Sequence, residues 1–190
     1  MHILLMAGSL RQQSYNRQLI HTTIPYLEEQ EISYQIIDLN EYHFPLYNQD
    51  CEDIYGRPER VDHLQAEFVQ ADGFLMSLPE YNGSIPGVWK NTIDWVSRPH
   101  PQYSFQDKFT GKVAGLLAAS PGSLGGLRGL RHGREILEGL GMLVIPQQYA
   151  LSKADQAFDP QGGLLSAHSQ EKVESVVKSF INTTRAIGKE

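Results

Sequence analysis

Three short stretches of this sequence combine small, hydroxyl-bearing and glycine residues in ways that suit holding an anion or a flat ring. The first is Gly8-Ser-Leu-Arg-Gln-Gln-Ser-Tyr-Asn16. Gly8 lets the chain turn, and Ser9, Ser14 and Asn16 carry short polar side chains. Arg11 offers a fork of donors. A helix starting here adds main-chain N–H groups and about half a positive charge. Such a set suits a phosphomonoester dianion. It lacks the Gly-x-Gly-x-x-Gly of dinucleotide folds and the Gly-Lys-Ser/Thr of nucleotide-triphosphate loops. No cysteine opens it, so the thiolate route to phosphate cleavage is excluded. Donors without a nucleophile hold a phosphate rather than break it. The same residues also satisfy a plain Ser/Asn helix cap beside a solvated arginine.

The second stretch is Pro79-Glu-Tyr-Asn-Gly-Ser-Ile-Pro-Gly87. Asn-Gly is a hairpin signal, yet a helical pattern follows it instead of a strand. The loop is therefore read as backbone bent close to a ligand, with N–H groups for a planar heteroaromatic edge and Tyr81 to lie against the ring. A rigid Pro/Gly connector is the alternative. The third stretch, Ser120 to Arg131, places four glycines within eight residues ahead of a helix. Arg128, Arg131 and Arg134 add positive charge there, which suits either a second phosphate-bearing ligand or a solvated or subunit-contacting face.

Other chemistries find no support. His43, His63, His100, His132 and His168 show no metal-ligand spacing. There is no Gly-x-Ser-x-Gly nucleophile elbow. Asp38 reads as a strand end, and Trp89 and Trp95 as core or interface. No catalytic residue and no metal ligand is assigned.

These loops need a scaffold that brings them together. Five short apolar runs without alternation, His2–Ala7, Ser33–Leu39, Gly73–Leu78, Lys112–Ala119 and Met142–Ile145, read as strands buried on both faces. Pro146 is expected to end the fifth. Helical faces lie between them: Leu19, Ile20, Thr23, Ile24 and Leu27, with a break at Pro25; Val61, Leu64, Phe68 and Val69; Pro86 to Val96; Leu127 to Leu140, weakened by Gly129, Gly133 and Gly139; and Val173 to Ile187. Glu41 to Pro58 reads as a surface loop. Alternation of this kind requires crossovers and a parallel sheet with helices on both faces. Ligands of such sheets sit at the carboxyl ends of the strands, where all three loops arrive.

Composition sets outer limits. The chain has 190 residues, 41% apolar and 20% charged, as expected for one folded domain spanning residues 1–190. Its formal charge of -6 disfavours a nucleic-acid partner. A single cysteine, Cys51, excludes an internal disulfide and fits a reducing compartment. The longest apolar runs fall well short of the ~20 residues of a spanning helix, so no membrane association and a cytoplasmic location are expected.

Taken together and in order, Gly8-Ser-Leu-Arg-x-x-Ser-x-Asn16, Pro79-Glu-Tyr-Asn-Gly-Ser-Ile-Pro-Gly87 with Lys90-Asn91-x-x-Asp94-Trp95, and Ser120-Pro-Gly-x-x-Gly-Gly-x-Arg128 resemble the NADPH-dependent FMN reductase family. That family includes flavin, quinone, azo-dye and chromate reductases. The resemblance runs from the first residues to the Phe158-Asp159 segment and its following glycines. It implies a flavodoxin-like α/β fold, a doubly wound sheet of five parallel strands in order 2-1-3-4-5. It implies FMN held at its phosphate by Ser9, Arg11, Ser14, Tyr15 and Asn16, and at its ring by Pro79, Glu80, Tyr81, Asn82 and Gly83, with Ser120 closing the other side. NADPH or NADH would be the electron donor and a flavin, quinone or similar oxidant the acceptor, served in alternation. A homodimer or homotetramer is implied too. A flavin-carrying electron shuttle or sensor without turnover is the rival reading. Local charge makes Arg128 or Arg131 a candidate grip for the NADPH 2′-phosphate.

Overall fold

The computed structural model describes residues 1–188. The five apolar runs form strands β1 (His2–Ala7), β2 (Ser33–Ile37), β3 (Gly73–Ser77), β4 (Val113–Ala119) and β5 (Leu143–Leu151). They pair in the order β2-β1-β3-β4-β5, and every pairing is parallel. Around them lie α1 (Tyr15–His21), α2 (Ile24–Glu29), α3 (Gln49–Tyr55), α4 (Glu59–Gln70), α5 (Gly87–Val96), α6 (Phe105–Phe109), α7 (Leu127–Gly139) and α8 (Ala167–Ile187).

The continuous apolar runs of β1, β3 and β4 have a direct cause: neighbouring residues of these strands face different cores. The edge strands are not covered on both faces as expected, since Ile36 of β2 is 39% exposed and Leu143 of β5 is 46% exposed. Leu4, Met6, Phe74, Met76, Ala114 and Leu116 pack with residues of α4, α5 and α7. Ile3, Leu5, Leu75, Val113 and Leu117 pack with residues of α1, α2 and α8. On that second face Phe180 of α8 is fully buried. Its ring fits because β3 offers a glycine there: a Cβ on Gly73 would stand 2.8 Å from Phe180, while one on Gly115 of β4 would press on Leu75 at 2.7 Å. A buried aromatic of this size contributes about 1.5–3 kcal/mol.

Four local expectations are revised. The first helical pattern is two helices, α1 and α2, with Pro25 in the opening turn of the second, where its missing N–H costs little. The Glu41–Pro58 segment is not all loop, since it contains α3, capped by the Asn48 side chain on Asp50 N–H at 2.9 Å. Asn91 and the Trp95 indole fasten the chain ahead of α3: both donate to the Pro45 carbonyl, at 3.0 and 2.8 Å. The short α6 was not foreseen; a Ser104–Asp107 capping box starts it. Finally, β5 does not stop at Pro146 but continues to Leu151. It is an edge strand, and its register against β4 jumps from Ala114↔Val144 to Leu116↔Gln148. The proline falls inside that irregularity, where a missing donor is tolerated.

Candidate functional site

All three loops converge at the carboxyl edge of the sheet. The first leaves β1 at Gly8, whose N–H donates to the Ser77 carbonyl of β3 at 2.9 Å. A Cβ on Gly8 would meet Pro86 at 3.0 Å and Leu78 at 3.1 Å, so this glycine is needed for close approach. Ser14 caps α1, its hydroxyl accepting from Arg17 N–H at 3.4 Å. The N–H groups of Tyr15 and Asn16 then head the helix with no helical acceptor before them. The Ser9 hydroxyl accepts from Arg11 N–H at 3.3 Å. The Arg11 side chain is exposed and makes no ion pair among the described residues.

Asn16 has a different position from its neighbours. It is 3% exposed. Its side-chain oxygen accepts from Ala119 N–H and from the Ser77 hydroxyl, each at 2.9 Å, and its amide nitrogen donates to the Ala119 carbonyl at 2.9 Å. This side chain braces α1 against β3 and β4. Tyr15 stacks on Phe158, with ring centroids 6.5 Å apart and planes 1° apart.

In the second loop the Asn-Gly signal is honoured in miniature. Tyr81 and Ser84 exchange main-chain hydrogen bonds of 2.9 and 3.1 Å, and Asn82 and Gly83 both take positive φ, 52° and 82°. This is the geometry of a two-residue primed turn, but no strands extend it. Tyr81 is 48% exposed. In the third loop Gly125 (φ 62°) crosses β5 so tightly that a Cβ would stand 2.6 Å from the Ala150 carbonyl.

Glu80 brings a carboxylate to the meeting point of these loops, and its charge is matched. It accepts from Arg128 N–H at 3.0 Å and from Arg128 Nε at 2.6 Å. Burial pushes its pKa up, but the Arg128 hydrogen bonds and charge outweigh this and leave it below the usual carboxylate value. Arg128 is therefore not a free cation. Arg134 is also committed, donating to the carbonyls of Val144 and Ile145 at 3.0 and 2.7 Å. Arg131 remains exposed. Asp38 behaves as a strand end: it is paired with Arg17 at 2.7 Å and bonded to Asn40. Burial raises its carboxyl, and the Asn40 and Arg17 contacts bring it below its ordinary value.

A cavity of about 140 Å³ joins the loops. From the first loop it is lined by Ser9, Arg11, Ser14, Tyr15 and Asn16, and from the second by Pro79, Glu80 and Tyr81. Ser120 lines it from the third, together with Pro121 of the same motif and Ala119, which the sequence did not single out as a site residue. Asn82 and Gly83 lie instead on an adjoining cleft of about 540 Å³, which also reaches Glu80, Ser120, Leu124 and Arg128. Two hydroxyls, one arginine, helix-start N–H groups and no unpaired carboxylate make a donor set that fits a phosphomonoester. The adjoining glycine-rich cleft can accept a flat ring. A larger cavity, about 770 Å³, lies beside α1 and α2 and is closed by Asp159 to Leu164. It is lined by Asp159 and the following glycines, where the family resemblance ends, and its arginine, Arg17, is held by Asp38. Among the described residues no cluster of metal-ligating side chains occurs and no helix is long and apolar enough to cross a membrane.

Known proteins resemble this chain in both sequence and architecture. The family description "NADPH-dependent FMN reductase" matches residues 1–156. A NAD(P)H-dependent FMN reductase of Pseudomonas aeruginosa is 36% identical over 179 residues, covering 94% of this chain and 92% of that protein. A 2-hydroxy-1,4-benzoquinone reductase of a Burkholderia species is 30% identical, covering 94% and 93%. Among solved structures, FerB of Paracoccus denitrificans, a flavoenzyme NAD(P)H:(acceptor) oxidoreductase, aligns with a TM-score of 0.82 at 26% identity over 97% of each chain. The 2-1-3-4-5 parallel sheet is thus the flavodoxin-like fold, and the chain belongs to the NADPH-dependent FMN reductase family.

Proposed function

We propose that the protein is an FMN-dependent oxidoreductase that takes hydride from NADPH or NADH and delivers it to a small acceptor such as a quinone or a free flavin. The observation that carries this reading is the meeting of the Ser9–Asn16 loop and the Tyr81 turn around one cavity. When bound, FMN supplies the hydride-accepting chemistry. The chain's own groups position it. Ser9, Arg11, Ser14 and the helix-start N–H groups grip the phosphate, while the braced Asn16 side chain holds that loop in place. Pro79 to Gly83 line one ring edge, with Glu80, Asn82 and Gly83 as the main-chain donors because the Tyr81 N–H is spent on the Ser84 carbonyl, and Ser120 borders the opposite side. Tyr81, half exposed at the rim, leaves a ring face open to donor and acceptor in turn, so the two share one place and the kinetics are ping-pong. Hydride transfer between stacked rings needs no side-chain acid or base, and none is assigned.

Arg128 is spent on Glu80, so Arg131 is the remaining α7 cation for an NADPH 2′-phosphate. We read residues 1–190 as one FMN-binding domain, supported by a single sheet on which α8 closes back over β4 and β5. Assembly as a homodimer or homotetramer is part of the same reading and draws support from the exposed Leu46, Ile54 and Tyr55. So is a cytoplasmic location, in keeping with one unpaired cysteine.

An absorbance spectrum of the purified protein, followed by anaerobic NADPH and then NADH, tests the proposal. A yellow protein bleached within seconds is the expected result. A yellow protein that stays coloured is a carrier, and a colourless one that ignores added FMN is neither.

A further inference from the structure

The Glu80 side chain faces away from the role that its place in the second loop suggests. Its carboxylate is 9% exposed and accepts from the main-chain N–H of Arg128 as well as from the Arg128 guanidinium. That amide belongs to the first turn of α7, whose own N-cap residue, Gly126, offers no side chain. Two further contacts tie the same turn to the same helix. His132 Nδ1 and the Ser84 hydroxyl are 2.9 Å apart. Gly129 lets the loop lie directly on the helix: a Cβ there would stand 3.3 Å from both Glu80 Cα and the Ser84 carbonyl oxygen.

We infer that Glu80 is a positioning residue, a helix cap supplied from another loop that fastens the Pro79–Ser84 turn to α7 and so pre-sets the surface on which the flavin ring rests. This builds on the proposed function. An α-helix start needs acceptors for its first N–H groups, and a carboxylate is a strong one. Here the acceptor comes from the ring-binding loop, so satisfying the helix and fixing the loop are the same event. The loop then needs no ordering when ligand arrives, and affinity benefits from the avoided entropy cost. Of the glycines that weaken α7 as a helix, Gly129 is the one on which the loop lies.

Glu80→Gln tests this, because the carboxylate gives one oxygen to the Arg128 amide and the other to the guanidinium, and a carboxamide has only one accepting oxygen. In the flavin-free protein, hydrogen exchange at Arg128, Tyr81 and Ser84 should accelerate together, about tenfold. A residue that only caps the helix would release Arg128 alone, and that result overturns the proposal. In the holoprotein, Glu80→Gln should weaken FMN and plain riboflavin by the same factor, about tenfold, since the loss is on the ring side. Weakening of FMN alone, or of neither, overturns it. Arg128→Ala keeps the main-chain cap and should cost less, and adding it to Glu80→Gln should cost less than the sum of the two single changes. If the wild-type protein binds no flavin, the functional reading fails, and exchange at Tyr81 and Ser84 still decides whether Glu80 holds the turn.

Discussion

Asn16 and Ala119 exchange two hydrogen bonds, each 2.9 Å, across 103 residues of chain. The pair joins the first turn of α1 to the end of β4, and the Ser77 hydroxyl completes it from β3. The phosphate-loop side chain of Asn16 is thus a buried brace. Asn16→Ala leaves the Ala119 N–H and C=O buried without partners, which should cost about 2–4 kcal/mol. Chemical denaturation of the flavin-free protein measures this. An unchanged midpoint would show that the brace contributes nothing.

Arg11 has the opposite character, exposed and free of carboxylates. Arg11→Ala should leave thermal stability unchanged and weaken FMN by roughly tenfold to a hundredfold, the value of a charge-assisted contact. Riboflavin, lacking the phosphate, should bind as before. Titration of flavin fluorescence with both ligands checks the contrast; equal losses would remove Arg11 from the phosphate site.

Coenzyme preference should depend on Arg131 rather than on Arg128. Arg131→Ala is expected to raise KM for NADPH several-fold and to leave KM for NADH alone. Steady-state kinetics with both donors at a fixed quinone concentration decides it. A parallel rise in both values would place the 2′-phosphate elsewhere.

Gly125 bears a geometric demand. Its φ is 62°, and a Cβ would press to 2.6 Å on the Ala150 carbonyl. Gly125→Ala should destabilise the protein by about 2 kcal/mol or more and displace the loop between Ser120 and Gly126. Flavin affinity should fall with it. Gly83→Ala, with φ 82° but open space around it, should cost only about 1 kcal/mol of backbone strain.

Lys108 makes a pH prediction. It is fully buried, and its Nζ donates to the Arg98 carbonyl at 2.6 Å, which the Gln65 amide also reaches at 2.8 Å. Burial first, then the charges of Arg57 and Arg98, lower its pKa to about 8. Between that value and the ordinary value of 10.5, the unfolded chain binds more protons than the folded one. This contribution to stability is complete above the unfolded value and is lost as pH falls to about 8. Lys108→Met should therefore flatten the rise of unfolding free energy across that window relative to wild type. Parallel curves for the two proteins would contradict the assignment.

Several features of the molecule were legible in the residues alone. Strands buried on both faces have no choice but to be apolar throughout, so the runs beginning at His2, Gly73 and Lys112 announced a covered parallel sheet. Turn chemistry is similarly local: Ser14, Asn82 and Gly83 take up conformations that their types favour, and the three loops were recognisable before any contact was known. What lies far along the chain was not legible. Glu80 finds Arg128 48 residues away, and Asn16 finds Ala119 at more than twice that separation. Whether such a side chain meets a ligand or another part of the protein depends on how the helices settle on the sheet. Pro146 makes the same point for the backbone: within its own neighbours it reads as a strand end, and only its place on the outermost strand lets β5 run past it. Residue type specified what each loop can bind; packing across the sheet decided which polar groups remained free to bind it.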